Sequence, residues 1–256
     1  MKHNYAENLD KLHIRIRAHK EFANFDVATW IDAFCARAPR RRILDLACGS
    51  GNHLRMYAGH VGLGGRVVGI DIEPGLVEAA REGHRDLPQV EVVKGSMNDP
   101  LPFPDASFDL VISSFAVYYA ADPRATLEEI RRVLQSGGQV ALIGPTRNNA
   151  LEIYEYNERL TGVAIEEVTL VLTDRLRQEI LPIVRELFSD ATDEVLNSFL
   201  TFPNGNEFLA YFESTMVYEE TAKKRSVTRE QMRAALPPGD RPIVSKEMLA
   251  IVATKI

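Results

Sequence analysis

Between residues 41 and 145 short apolar runs alternate with amphipathic stretches, and that alternation leaves the chain few folds to choose from. Parallel strands joined by helical crossovers produce it, because the crossover helices cover both faces of the sheet and leave the strands apolar throughout. Strands are predicted over 42–47, 66–70, 90–94, 109–114 and 139–143. Pro74, at a first helical turn, opens a helix over 75–84 whose apolar face carries Leu76, Val77 and Ala80. Asp122 is the expected N-cap of the next helix, with Pro123 at its first position. Leu127, Ile130, Val133 and Leu134 recur there at helical spacing, and Gly137-Gly138 is the expected stop.

Past Pro145 the pattern changes. Residues 148–202 contain no good alternating strand, while Ile165, Val168, Leu172, Leu176 and Ile180 suggest long amphipathic helices. Further helical pieces are expected at 208–212 and 229–236. Pro237-Pro238-Gly239 then breaks the chain before a closing strand over 247–254. The expected organisation is an α/β core (41–146 and 240–256), an N-terminal helical arm (1–40) and a helical insertion (147–239).

Composition narrows the functional classes. Over 256 residues, 45% hydrophobic and 26% charged residues exclude a disordered, collagen-like or repeat-built chain. The stretch 110–121 runs 12 residues without a charge and none runs longer than 14, whereas crossing a bilayer takes about 20 apolar ones. A membrane partner is therefore not expected. The N-terminus runs into mixed charge without an apolar leader, so the expected location is cytoplasmic. A net charge of -6 argues against nucleic acid as a partner. Cys35 and Cys48 are expected as reduced thiols, and no ligand spacing suggests a metal.

The chemistry sits in Leu44-Asp45-Leu46-Ala47-Cys48-Gly49-Ser50-Gly51-Asn52-His53-Leu54, which ends a strand on a carboxylate and turns on two glycines. In an open α/β sheet that turn faces a ligand beyond the carboxyl ends of the strands. Leu54 stands where a dinucleotide fingerprint needs a third small residue, and Asp45 repels a pyrophosphate while favouring a ligand with a cationic end. Both weaken a nicotinamide oxidoreductase reading. Asp71, 20 residues after Gly51, ends the second strand where a carboxylate accepts hydrogen bonds from a ribose. Met97 and Asn98 follow the third strand, placed to cover a base.

With its Leu-Asp-Leu-Ala-Cys-Gly-Ser-Gly loop, its Gly69-Ile70-Asp71 acid and its Leu101-Pro102-Phe103-Pro104-Asp105-Ala106-Ser107-Phe108-Asp109 segment, the chain resembles the class I S-adenosylmethionine-dependent methyltransferases, in particular their small-molecule branch. The resemblance spans about residues 41–145. It implies a Rossmann-like, mostly parallel seven-stranded sheet with the last strand antiparallel and helices on both faces. It also implies S-adenosylmethionine as cofactor, S-adenosylhomocysteine as product, and a small-molecule acceptor methylated on O, N or C by in-line displacement. By the same resemblance Asp45, Ala47, Gly49 and Gly51 form the methionine-side loop, and Asp71 and Ile72 hold the ribose. Met97 and Asn98 flank the adenine, and Ser114 and Phe115 lie beside the sulfonium. Ala47 replaces a glycine common in that loop, and Ser96 an acid, with Asn98 or Asp99 as substitutes for the contact to the adenine amino group. Tyr118 and Tyr119 are the candidate catalytic residues, one of Phe115, Tyr118 and Tyr119 being expected in the core. Tyr5, in the arm, is a candidate cofactor contact, whereas His13 and His19 are expected as ordinary helical residues. Asn148, Asn149, Glu152, Tyr156, Tyr211 and Tyr218 are candidates to line the acceptor pocket. A non-catalytic S-adenosylmethionine-binding protein and an RNA methyltransferase are the remaining alternatives, and a homodimer is compatible with the insertion.

Overall fold

The computed structural model describes residues 8–62, 64–164, 172–236, 239 and 241–256. Tyr5, Ile165 and Val168 lie outside the described residues. Two helices lead into the sheet, α1 (Leu9–Phe22), N-capped by Asn8, and α2 (Val27–Cys35), N-capped by Asp26. Then follow β1 (Arg42–Leu46), α3 (Leu54–Val61), β2 (Arg66–Asp71), α4 (Pro74–Gly83), β3 (Val90–Lys94), β4 (Phe108–Ser114), α5 (Pro123–Val133) and β5 (Leu134–Pro145). The second part contains α6 (Leu151–Thr161), α7 (Leu181–Leu187), β6 (Ser189–Thr201), α8 (Gly205–Glu213), α9 (Met216–Glu220), α10 (Arg229–Ala234) and β7 (Ile243–Thr254).

The seven strands form one sheet in the order β3-β2-β1-β4-β5-β7-β6. The first five run parallel, and β7 pairs antiparallel with both β5 and β6. The strand order reverses between β1 and β4, so a crevice opens there at their carboxyl ends. One face of the sheet packs Leu44, Leu46, Val68 and Val111 against α5 and α7, and the other packs Ile43, Val67, Leu110 and Ile112 against α2, α3 and α4. A third apolar cluster, with Tyr156, Phe202, Phe208 and Phe212 at its centre, fixes the second part of the chain and holds Ala18 of α1.

The expectation that 148–202 holds no strand is overturned by β6, so 147–239 is not purely helical. As an edge strand, β6 buries only Leu196, Ser198 and Leu200 in alternation and leaves Val195 and Phe199 exposed, which blurs the apolar period. β7 starts at Ile243, four residues before the predicted closing strand, with the polar Lys246 and Glu247 inside it. The expected helix stop at Gly137-Gly138 is also corrected. The α5 helix ends at Val133 because Leu134 turns extended to pair with Phe108, which leaves Gly137 and Gly138 within β5. Among the described residues no helix is long and apolar enough to cross a membrane.

Candidate functional site

The turn after β1 is a cradle of backbone atoms. Cys48 donates its amide to the Ile70 carbonyl at 3.0 Å, Gly51 donates to the Cys48 carbonyl at 3.0 Å, and Leu54 donates to the Gly51 carbonyl at 3.1 Å. Ala47, Gly49 and Gly51 take φ of +63°, +57° and +82°. A Cβ on Gly51 would stand 2.8 Å from His84 Cε1 and 2.9 Å from Leu54 Cδ1, so this glycine serves close packing as well as backbone freedom. Ala47 holds a left-handed conformation that a glycine would take without strain.

Asp45 and Asp71 end adjacent strands. Asp71 Oδ2 accepts the Gly49 amide at 2.8 Å and its Oδ1 accepts the Glu73 amide at 2.9 Å, so one carboxylate joins the turn after β1 to the turn after β2. Asp45 is 2% exposed, and burial together with the neighbouring Asp71 pushes its carboxyl up to about 7. Near it lies the Tyr57 hydroxyl, buried and without a hydrogen-bond partner among the described residues, whose ionisation is pushed well up by burial and by Asp45. Burial also raises the thiols of Cys35, to about 12, and of Cys48, so both remain protonated. Ile72, directly after Asp71, is 61% exposed at the rim.

The other side of the crevice is built by the ends of β3 and β4. Asn98 is exposed, and its Oδ1 accepts the Ala121 amide at 2.8 Å, which ties the turn after β3 to the segment after β4. Met97 is half-buried, and its carbonyl accepts the Thr126 hydroxyl at 3.0 Å. Ser114 ends β4, and Phe115 follows it at φ +57° with its amide on the Ile143 carbonyl at 2.7 Å. Phe115 packs against the clusters of both sheet faces.

The two adjacent tyrosines part ways. Tyr118 packs in the core, where a Cβ on Gly144 would stand 2.9 Å from its ring. Tyr119 instead reaches toward the second part of the chain, with its hydroxyl 3.9 Å from Met216 Sδ at the start of α9. The candidate pocket residues also separate. Glu152 accepts both the amide and the hydroxyl of Ser245, Asn148 donates to Glu247 at 3.1 Å, and Tyr156 donates to the Met232 carbonyl at 2.7 Å, so all three hold the scaffold together. Tyr211 faces Lys246. Helix α1 lies over the glycine turn, where Leu12 Cδ2 is 3.6 Å from the position of a Gly49 Cβ.

Sequence reasoning passed over Lys246 and Tyr154, both buried at this end of the molecule. The signal available for Lys246 was a lone cation at an inward position of an otherwise apolar strand. A surface groove of about 440 Å³, lined by Arg37, Asp190, Thr192, Glu194 and Thr254 among others, lies at the opposite end of the sheet and touches none of these residues.

Residues 44–142 match a family described as a methyltransferase domain. Over 115 residues the chain is 41% identical to a 37.1 kDa protein of a transposon from Streptomyces fradiae, covering 45% of this chain and 33% of that protein. Over 109 residues it is 37% identical to demethylmenaquinone methyltransferase from Listeria welshimeri, covering 42% of this chain and 46% of that enzyme. The match thus spans less than half the length of these curated relatives. A SAM-dependent methyltransferase from Aquifex aeolicus shares the fold, with TM-score 0.57 over 97% of this chain and all of that one, at 16% identity.

Proposed function

Starting from a chain whose residues 44–142 are a class I methyltransferase domain, we infer that this protein transfers the methyl group of S-adenosylmethionine to an O, N or C atom of a small molecule held between the sheet and the 147–239 segment. The observation that carries the reading is the pairing of Asp45 and Asp71 at the carboxyl ends of β1 and β2, beside the strand-order reversal. One is a buried carboxylate that accepts no hydrogen bond from the described residues, and the other is fixed by the Gly49 and Glu73 amides.

The residues present fit this cofactor. Its cationic amino acid end would meet the Asp45 carboxylate, whose burial calls for a positive partner. Asp71 would receive the ribose hydroxyls, with the exposed Ile72 against the adenine on one side and Met97 and Asn98 on the other. Ser114 and Phe115 would border the sulfonium. The cofactor supplies a methyl group on a good leaving group, so the protein's part is proximity, alignment and exclusion of water. A protonated acceptor would pass its proton to water or to a base as it is methylated. Tyr119 faces the acceptor side, while Tyr118 backs it from the core. The α1 helix covers the glycine turn as a lid would.

Thermal unfolding of the full chain with S-adenosylhomocysteine, S-adenosylmethionine, NAD and NADP in parallel tests the reading. A ligand at 100 times its dissociation constant stabilises by about 2.7 kcal/mol. Shifts with the two sulfur compounds alone are expected, whereas a shift with NAD or NADP instead would refute the reading.

A further inference from the structure

On β7 the residues Val244, Lys246 and Met248 alternate inward, and Lys246 is only 7% exposed. Register places it at the ligand end of the sheet. Pro145, the last residue of β5, pairs with Met248, and Thr146 donates its amide to the Glu247 carbonyl at 3.1 Å, so Lys246 lies beyond the carboxyl end of β5. Its ammonium is 3.4 Å from the Tyr211 hydroxyl, and among the described residues no carboxylate lies within 4.0 Å of it.

Among the described residues the surroundings of Lys246 bring a second cation, Arg15, and a neutral imidazole, His19. Arg15 and His19 of α1 both face this region, and Lys246 and Arg15 join burial in depressing the His19 imidazole to about 3. The His19 ring stands edge-on to Tyr211 at 6.4 Å. An ammonium taken out of water without a counter-charge is costly, and an apolar side chain of the same length would fill the space more cheaply. Tyr154 of α6 is buried, and burial first, then Tyr119 and Tyr211, push its hydroxyl up to about 12.

We propose that Lys246, with the Tyr211 hydroxyl, is the anion-binding end of the acceptor pocket, so that the methylated substrate is a small carboxylate with an apolar body. The ammonium and the phenol hydroxyl supply two donors at one point, which suits a carboxylate group, and the Phe202 ring, 5.3 Å from that of Tyr211, suits an apolar remainder. This assignment rests on the methyltransferase reading for the location of the pocket, but its chemistry is tested separately.

The full chain saturated with S-adenosylhomocysteine is titrated with benzoate and hexanoate, and with benzamide and hexanamide as neutral counterparts, by thermal unfolding and calorimetry. At least one carboxylate is expected to bind and raise Tm while its amide does not. Lys246→Met is expected to weaken that binding at least about tenfold and to keep the S-adenosylhomocysteine shift, with unfolding at or above the wild-type temperature because an uncompensated charge is gone. Tyr211→Phe is expected to weaken carboxylate binding severalfold in a protein that differs by one hydroxyl. The proposal is overturned if neither carboxylate binds, if amides bind as well as acids, or if both variants retain full carboxylate affinity. A missing S-adenosylhomocysteine shift in the wild-type chain would instead refute the cofactor reading, and the acid-to-amide comparison would still be read without it.

Discussion

Asp71 Oδ2 receives the amide of Gly49 at 2.8 Å across the gap between two parallel strands, so the residue proposed to bind a ribose also fixes the turn proposed to hold the methionine end. Substitution should therefore damage both affinity and stability. Each hydrogen bond to a charged group contributes about 1.5–3 kcal/mol. Asp71→Ala is expected to lower Tm and to weaken S-adenosylhomocysteine binding by about tenfold or more in calorimetry. Asp71→Asn, which keeps an acceptor oxygen, should recover part of the Tm and less of the affinity. An unchanged affinity in Asp71→Ala would remove this residue from the site.

Asp45 gives a pH signature with a defined sign. Its folded carboxyl is raised to about 7 by burial and by Asp71, above an unfolded value near 3.8. Between those values the native state holds the extra proton, so this group's stabilisation is fully present below about 4 and is lost as pH rises through 7. The loss is on the order of 4 kcal/mol. Asp45→Asn should flatten this limb of the stability curve in denaturant titrations from pH 4 to 8. A cationic ligand reverses the preference, so S-adenosylmethionine affinity should rise with pH through the same window in the wild-type chain alone. A variant curve parallel to wild type would show that Asp45 does not titrate there.

The glycine turn, Asp71 and the five parallel strands were legible in the sequence because each follows from local chemistry, namely apolar runs, turn residues and strand-end acids. The β6 strand was not, since an edge strand spreads its apolar residues over two faces and its exposed Glu194 accepts the Trp30 indole N–H at 2.6 Å. Helix propensity also concealed the end of α5, where pairing of Leu134 with Phe108 overrides the run of helical spacing. Lys246 was hidden for a different reason. Its meaning depends on Tyr211, Arg15 and His19, which lie 35, 231 and 227 positions away and meet it only after folding.

Ala47 and Gly51 predict opposite responses to exchanging glycine and alanine. Ala47 sits at φ +63°, so Ala47→Gly removes left-handed strain at the cost of a more flexible unfolded chain, and Tm should change little. Ala47→Val adds a branched side chain to the same conformation and should cost about 1–3 kcal/mol. Gly51→Ala combines φ +82° with contacts of 2.8 and 2.9 Å to His84 and Leu54, so it should destabilise more than Ala47→Val and loosen cofactor binding. Equal Tm values for Ala47→Val and Ala47→Gly would show that the turn relaxes at no cost.

His19 should control the acid side of the stability curve. Burial first, then Lys246 and Arg15, lower its folded imidazole from 6.5 to about 3, so in that range the unfolded chain binds a proton that the native chain refuses. Stability from this group is present above about 6.5 and is lost as pH falls toward 3. The direction is opposite to that of Asp45, so the two limbs partly cancel in the wild-type chain and must be separated by variants. His19→Gln should reduce the acid loss by about 2–4 kcal/mol while leaving the limb assigned to Asp45 intact. Lys246→Met withdraws one of the two cations that face the ring, so in NMR titration the His19 midpoint should move upward from its depressed value. A midpoint that stays fixed in Lys246→Met would mean that burial alone keeps His19 neutral and that the two side chains do not sense each other.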